Sequence, residues 1–366
     1  MNILYISNLT GSLFAGPNYS VPAQIRAQSE IDNVFWYNLS AAKLEEWEKI
    51  GCKNLEDISC ATLDSLPTPF NNPDIAVIEE VYCYPFCSLI TEIRKKGIPY
   101  VIIPRSAMTK QAQSKRKLKK IIGNLLFFNK FIRGAAAIQY LTEEEKIESS
   151  EQWNINSFVI PNGINKKAAV KERFSENGIR AAYIGRYEIY QKGLDLMLDA
   201  IAAEQDLLRK NGFLLNMYGH NQENTVAKLM QKINDSGICD IVKVNGSVFG
   251  EDKEKVLLDS DVFIMTSRFE GHPMGMIEAL SYGLPCIATL GTNLLEEVKS
   301  YDAGWVAENN VLSIREALRQ MVAQAGDLQI KSENAIRLAD VYSWDKIARD
   351  SHEIYERILR KHKNEH

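Results

Sequence analysis

The 366-residue sequence predicts an α/β protein of two Rossmann-like, doubly wound parallel-sheet domains. Three observations carry this expectation. Short apolar runs rich in β-branched residues alternate with amphipathic helical segments along most of the chain, which is how βαβ units read in sequence. The length exceeds what a single core usually fills. A polar, turn-rich stretch, "IPNGINKKAAVKERFSENG" at 160–178, separates two such series.

The first series places strands at 2–7, 34–38, 74–79, 99–104, 136–142 and 158–161, with Gly97 and Pro99 ending the helix before the fourth. "TGSLFAGPNYSVPAQI" joins the first strand to the first helix; Gly11 and Gly16 relieve steric bulk there and Ser20 is a candidate N-cap. The loop is not a G-x-G-x-x-G fingerprint, which removes support from a nicotinamide-type reading. The second series places strands at 181–186, 214–219, 241–246, 262–267, 285–289 and 303–307. Between the first two, Leu194, Met197, Leu198 and Ile201 recur at the spacing of one helical face. The closing segment offers Ser343 as an N-cap and puts Ile347, Ile354 and Ile358 at helical spacing, so a terminal helix is expected over 343–366. The domains are expected at 1–163 and 164–342.

Composition narrows the function classes. Hydrophobic content of 45% and charged content of 25% suit a soluble globular protein. "MNILYISNLTGS" reads as a first strand and not as a signal peptide, and no apolar run is long enough to span a bilayer. The six cysteines are scattered without CxxC spacing, so no zinc site is indicated and a reducing cytoplasm is the simplest compartment. Twelve bases and no acid lie between Glu92 and Glu143. Within that window "SKRKLKKIIGNLLFFNKFIRGAAA", including 115–133, reads either as a packed helix with a solvated basic edge or as a contact for an anionic membrane surface. Nucleic acid fits poorly, because stacking aromatics do not interleave with the bases.

The chemistry gathers in "TSRFEGHPMGMIEALSYGLPC", 266–286. It follows a buried-looking strand, so it occupies the carboxyl end where ligands bind in open α/β sheets. Pro273 sits near the first turn of the next helix, and Gly283 with Pro285 ends it. Glu270 lies just before the turn and Glu278 about one turn inside the helix. A carboxylate accepts two vicinal hydroxyls in a fork, so two of them around a nest of free N–H groups suit two polyhydroxylated rings joined by a diphosphate. The alternative is a pair of solvated caps. In "YIGRYEIYQKGLDLMLDAI", Arg186 follows a strand and Lys192 stands beside Gly193 at a helix start, where two cations and free amides would neutralise a diphosphate without a divalent metal. Asp259 and Asp261 form an Asp-x-Asp at the amino end of the strand before the quoted stretch, opposite the ligand edge, and read as a helix-end turn.

"IPNGI", "YIGRYEIYQKGLDLMLDAI", "MYGHNQEN", "VNGSVFGEDKEKVLLDSDVFIMTSRFEGHPMGMIEALSYGLPCIAT" and "YSWDKIARDSHEIYERIL" together resemble the retaining glycosyltransferases of the GT-B fold, family four. The likeness is densest over Ile160–Thr289. It implies two domains facing a cleft, with the terminal helix crossing back onto the first. By that resemblance Glu270 and the Gly271–Met274 amides (Gly271, His272, Pro273, Met274) hold the donor sugar and Glu278 the nucleotide ribose. Arg186 and Lys192 then hold the diphosphate, with Glu270, Arg186 and Lys192 bearing on catalysis. Gly16, Gly185, Gly219, Ser247, Val248 and Gly275 fall on the donor side of the same pattern. Where many relatives carry a His-Gly pair this chain has Arg105 and Ser106, which with Asn18 become candidates for acceptor or phosphate contact, and no catalytic histidine is carried over. The resemblance implies retaining transfer of a hexose from a nucleotide-diphosphate sugar, such as a UDP-sugar, to a glycan or lipid-linked acceptor in bacterial surface polysaccharide synthesis. It implies no cofactor and no metal, in the cytoplasm or on the inner membrane face. A nucleotide-sugar epimerase of the same fold and a non-catalytic sugar-binding protein remain the alternatives.

Overall fold

Strand side chains alternate between the two faces of a sheet, and here the alternation sorts the apolar runs into helix-covered layers. The computed structural model describes residues 1–12, 16–58, 62–82, 87–114, 123–153, 156–220 and 224–365. Its contacts divide the chain into two units, Met1–Gly163 with Trp344–His366, and Ile164–Ser343. Ser343 stays with the second unit, where it bridges to Ile164.

The first unit holds β1 (Asn2–Ser7), β2 (Asn33–Asn38), β3 (Lys53–Asn54), β4 (Ile75–Glu79), β5 (Tyr100–Ile103), β6 (Ala137–Tyr140) and β7 (Ser157–Val159). They form one parallel sheet in the order β3-β2-β1-β4-β5-β6-β7. Leu4, Ile6, Ala76, Ile78 and Ile102 enter one core, while Ile3, Tyr5, Ile75, Val77 and Val101 enter the other. β3 has no signal in the sequence, because two residues cannot show a period.

The first helix runs from Pro17 to Ser29 with Gly16 as its N-cap, so Ser20 lies inside it and is not the cap. Proline has its φ already set for a first turn and lacks the N–H that would go unpaired there, which starts the helix earlier than the serine would. The terminal helix, Trp344–Glu365, packs on it. Tyr355 is fully buried at that seam and donates to Gln139 Oε1 at 3.1 Å. Asp32 meets His352 Nδ1 at 3.0 Å; burial pushes its carboxyl up, but hydrogen bonds from the chain's amino group, His352 and Gln28 leave it below its ordinary value.

The second unit holds β8 (Arg180–Ile184), β9 (Leu214–Tyr218), β10 (Val242–Asn245), β11 (Val262–Met265), β12 (Cys286–Thr289) and β13 (Gly304–Ala307), parallel in the order β10-β9-β8-β11-β12-β13. Ala181, Tyr183, Val262 and Ile264 face one helix layer, and Ala182, Phe263 and Met265 face the other. In both units the order reverses beside the first strand: between β1 and β4, and between β8 and β11. Such a reversal parts the loops at the carboxyl edge and opens a crevice for a ligand.

At the opposite edge Asp261 is fully buried, accepting from the Ser175 and Arg180 amides at 3.0 and 2.8 Å and pairing with Lys171 at 3.1 Å. It ties the 171–180 segment to the start of β11 at the edge opposite the reversal loops. Of the basic stretch, Lys115, Arg116, Lys117, Lys119 and Lys120 lie outside the described residues. Lys130 and Arg133 are exposed on the Asn129–Arg133 helix, whose Phe131 and Ile132 are buried. Among the described residues no helix is long and apolar enough to cross a membrane.

Candidate functional site

The loop after β8 and the loop after β11 flank the reversal in the second sheet, and one ion pair joins them. Lys192 Nζ stands 2.6 Å from Glu270 Oε1, with 12% and 9% of the two side chains exposed. The Ser267 hydroxyl donates to the same oxygen at 2.5 Å, and Asn293 Nδ2 donates to the Glu270 carbonyl at 2.7 Å. Gly193 makes this approach possible. It takes the left-handed conformation at φ +60° as the N-cap of the Leu194–Ala203 helix, and a Cβ there would lie 1.9 Å from the Thr266 carbonyl oxygen. Thr266 Oγ1 in turn donates to the Lys192 and Gly193 carbonyls at 3.2 and 3.0 Å. One residue beyond Ser267, Arg268 grips Asp195 through two 2.7 Å bonds and lies 4.6 Å from the Tyr190 ring centre. Burial works against the Asp195 carboxylate, but the Arg268 bond prevails and holds it below its ordinary range.

Arg186 is exposed at the end of β8, and its carbonyl accepts from the Tyr183 hydroxyl at 2.8 Å. Burial drives the Tyr183 phenol well up; the Glu270 charge adds to this and the Arg186 charge opposes it.

The helix after β11 spans Met274–Ser281 with Pro273 at its N-cap, and Gly283 leaves it at φ +83°. The Gly275 Cα approaches the end of β8 so closely that a Cβ would lie 3.3 Å from the Ile184 carbonyl oxygen. The His272 ring stands 5.5 Å from that of Tyr342. Glu278 faces two lysines, Lys253 Nζ at 2.7 Å on Oε2 and Lys167 Nζ at 3.7 Å on Oε1. Gly185 and Gly219 meet backbone to backbone, a Cβ on Gly219 falling 2.2 Å from the Gly185 oxygen. Ser247 is exposed and Val248 half-buried in the loop after β10. Ser267, Asn293, Lys167 and Lys253 carried no sequence signal; only the fold brings them to the two acids.

The first-unit candidates are placed differently. Arg105 is 7% exposed, and its guanidinium donates to Glu79 Oε2 at 2.7 Å, Ser20 Oγ at 3.1 Å, Asn162 Oδ1 at 3.0 Å and Gln24 Oε1 at 3.1 Å. It ties the first helix, β4 and the 160–163 segment together, so this candidate for phosphate or acceptor contact has its guanidinium engaged by four side chains of its own unit. Arg105 and Ser106 both have positive φ, and the Ser106 amide donates to Glu145, whose carboxyl burial pushes up. Asn18 is buried and donates to the Ser12 carbonyl at 2.7 Å.

The second unit therefore presents two acids, each with a lysine, on loops and a helix at the carboxyl edge of a doubly wound sheet. The fold is of the GT-B type, with two parallel-sheet α/β units. Known proteins agree. An uncharacterised glycosyltransferase of Methanocaldococcus jannaschii is 23% identical over 289 residues, 78% of this chain and 76% of its own. Mannosylfructose-phosphate synthase of Agrobacterium fabrum is 28% identical over 133 residues, 35% of this chain and 29% of its own, so the chain spans under a third of that relative. The solved structure of HepE from Anabaena in complex with UDP superposes with a TM-score of 0.68 at 14% identity, covering 97% of this chain and all of that one. Residues 165–338 match the profile described as "Glycosyl transferases group 1".

Proposed function

We propose that the chain moves a hexose from a UDP-sugar to a hydroxyl of a glycan or lipid-linked acceptor, with retention at the anomeric carbon. The observation that carries this is the Lys192–Glu270 pair bridging the two loops of the β8/β11 reversal, with Glu278 inside the helix that follows. Glu270 and the Gly271–Met274 amides take the sugar hydroxyls, Glu278 the ribose, and Lys192 with Arg186 the diphosphate. As the bond between the anomeric carbon and the phosphate oxygen breaks, negative charge grows on the diphosphate, and fixed cations stabilise it without reorganising. The acceptor oxygen attacks the same face, and its proton passes to the departing phosphate oxygen. The UDP of the HepE complex supports this choice of nucleotide. A role in bacterial surface polysaccharide synthesis follows from the same reading.

Thermal shifts with UDP, GDP, ADP and dTDP, followed by donor turnover with and without a glycan acceptor, test it. UDP is expected to raise the melting temperature, since a ligand at about a hundred times its Kd stabilises by about 2.7 kcal/mol. No stabilisation by any of the four sinks the nucleotide assignment. An isomerised sugar formed without acceptor favours an epimerase.

A further inference from the structure

Glu278 is held by two lysines from two other parts of the second unit. Lys253 comes from the first turn of the Gly250–Asp259 helix after β10, and Lys167 from the segment after Ile164, where its ammonium also lies 4.7 Å from the Tyr282 ring centre. All three side chains are largely covered, at 29%, 18% and 19% exposed for Lys253, Lys167 and Glu278. These are not the i,i+4 pairs of a solvated helix face, whose net worth is small. Ordering two long lysine chains against one carboxylate costs side-chain entropy, so the contacts must return something.

Glu270 carries Lys192, and Glu278 carries Lys253 and Lys167. A carboxylate suits sugar hydroxyls as an acceptor but repels a diphosphate nearby, the more so where water is displaced. A lysine on a carboxylate oxygen offsets the repulsion, and the remaining lone pairs of the two oxygens can still accept from hydroxyls. We propose that Lys253, assisted by Lys167, is a positioning residue that fixes and neutralises Glu278, and so sets the affinity of the site for a nucleoside diphosphate. This rests on the nucleotide-sugar reading above. Lys253 is not asked to touch the ligand; it acts through the charge of Glu278.

That distinction gives the test. UDP binding is measured by titration calorimetry on the full chain and on Lys253→Met, Lys253→Arg, Lys167→Met, Glu278→Gln and Lys253→Met/Glu278→Gln, with circular dichroism to confirm that each is folded. Losing a hydrogen bond to a charged group weakens binding by about tenfold or somewhat more, so Lys253→Met is expected to raise the Kd about tenfold and Lys167→Met, with its longer contact, about threefold. Lys253→Arg keeps the charge and is expected to restore most of the affinity. In the Glu278→Gln background Lys253→Met is expected to cost less than about twofold, because a neutral amide needs no counter-ion. A purely structural lysine or a direct phosphate contact would give the same loss in both backgrounds, and that result overturns the proposal, as does unchanged binding by Lys253→Met. If the wild-type chain binds none of UDP, GDP, ADP and dTDP, the nucleotide reading itself fails and takes this inference with it. Binding by wild type with equal losses in the two backgrounds removes this inference alone.

Discussion

Replacing Gly193 with alanine should disturb the site more than its small size suggests. The residue sits at φ +60°, and the added Cβ would fall 1.9 Å from the Thr266 carbonyl oxygen, well inside any real contact. Two costs separate cleanly if Gly237→Ala serves as the control, since Gly237 has φ +67° and nothing within 4 Å of its would-be Cβ. The left-handed conformation costs an L-residue about 1–2 kcal/mol at either position. The reduced freedom of the unfolded chain offsets part of this equally in both variants and cancels in the comparison. Only Gly193→Ala must also push the lysine loop from the end of β11, which endangers the Thr266 hydroxyl bonds and the Arg268 amide bond to the Gln191 carbonyl at 2.8 Å. At about 0.5–1.5 kcal/mol for each net bond, counting the one Thr266 hydroxyl proton, shared between two carbonyls, as one bond and the Arg268 amide as another, the excess should be about 1–3 kcal/mol. Both glycines lie in Ile164–Ser343, so hydrogen exchange of peptides from that unit across a urea series reads them on one scale. Equal midpoints for the two variants would refute the claim that contact with Thr266 fixes the lysine loop.

Three further outcomes are expected. Lys192→Met leaves a nearly buried Glu270 with the Ser267 hydroxyl and should lower stability by about 2–3 kcal/mol, a loss that Glu270→Gln in the same chain partly recovers in denaturant titration. Its transfer rate should fall about 10²–10³-fold in a donor-turnover assay, and an unchanged rate would remove Lys192 from the reaction. Arg105→Met strands the fully buried Glu79 carboxylate and should cost about 3–5 kcal/mol by urea unfolding, whereas Arg105→Met/Glu79→Leu should cost clearly less. The folded value of Asp195 lies below its ordinary 3.8, so its contribution to stability is complete above that value and drains away as the pH falls through it; Asp195→Asn should therefore flatten the acid limb of the melting-temperature profile below about pH 5.

The sequence made the parallel strands legible because each is a short β-rich run between turn formers, and the expected bounds fall within two residues of β1, β2 and β4–β13. Glu270, Arg186 and Lys192 could be singled out because a strand end and a helix start are local features. Their pairing could not, since nothing local says which lysine reaches which acid. Arg105 shows the limit more sharply. By position it stands at the carboxyl end of β5, where ligand contacts are common, but whether its guanidinium faces outward depends on Glu79, Ser20, Gln24 and Asn162, which come from three other places in the chain. Ser20 was misread for a related reason, because a proline three residues earlier overrode a good capping residue.

The two sheets have the same order and the same reversal, yet they treat the charges near it differently. Near the reversal of the first, Glu79 and Arg105 are sealed, with 0% and 7% of their side chains exposed. Such a pair is conditionally stable: breaking it is costly, while replacing both members with apolar groups can be nearly neutral. Its retention here is explained by the three elements that Arg105 joins, the first helix, β4 and the 160–163 segment. In the second sheet Lys192 and Glu270 keep 12% and 9% of their side chains open, so Lys192 could exchange its partner for a ligand anion and Glu270 could exchange its partner for hydroxyl donors. On the nucleotide-sugar reading proposed above, the ligand would bring hydroxyls to the acid and phosphate oxygens to the base, so binding would replace the ion pair with two sets of contacts. That exchange is available only while the pair remains within reach of solvent. It is therefore at β8 and β11, and not at the buried pair, that chemistry is expected.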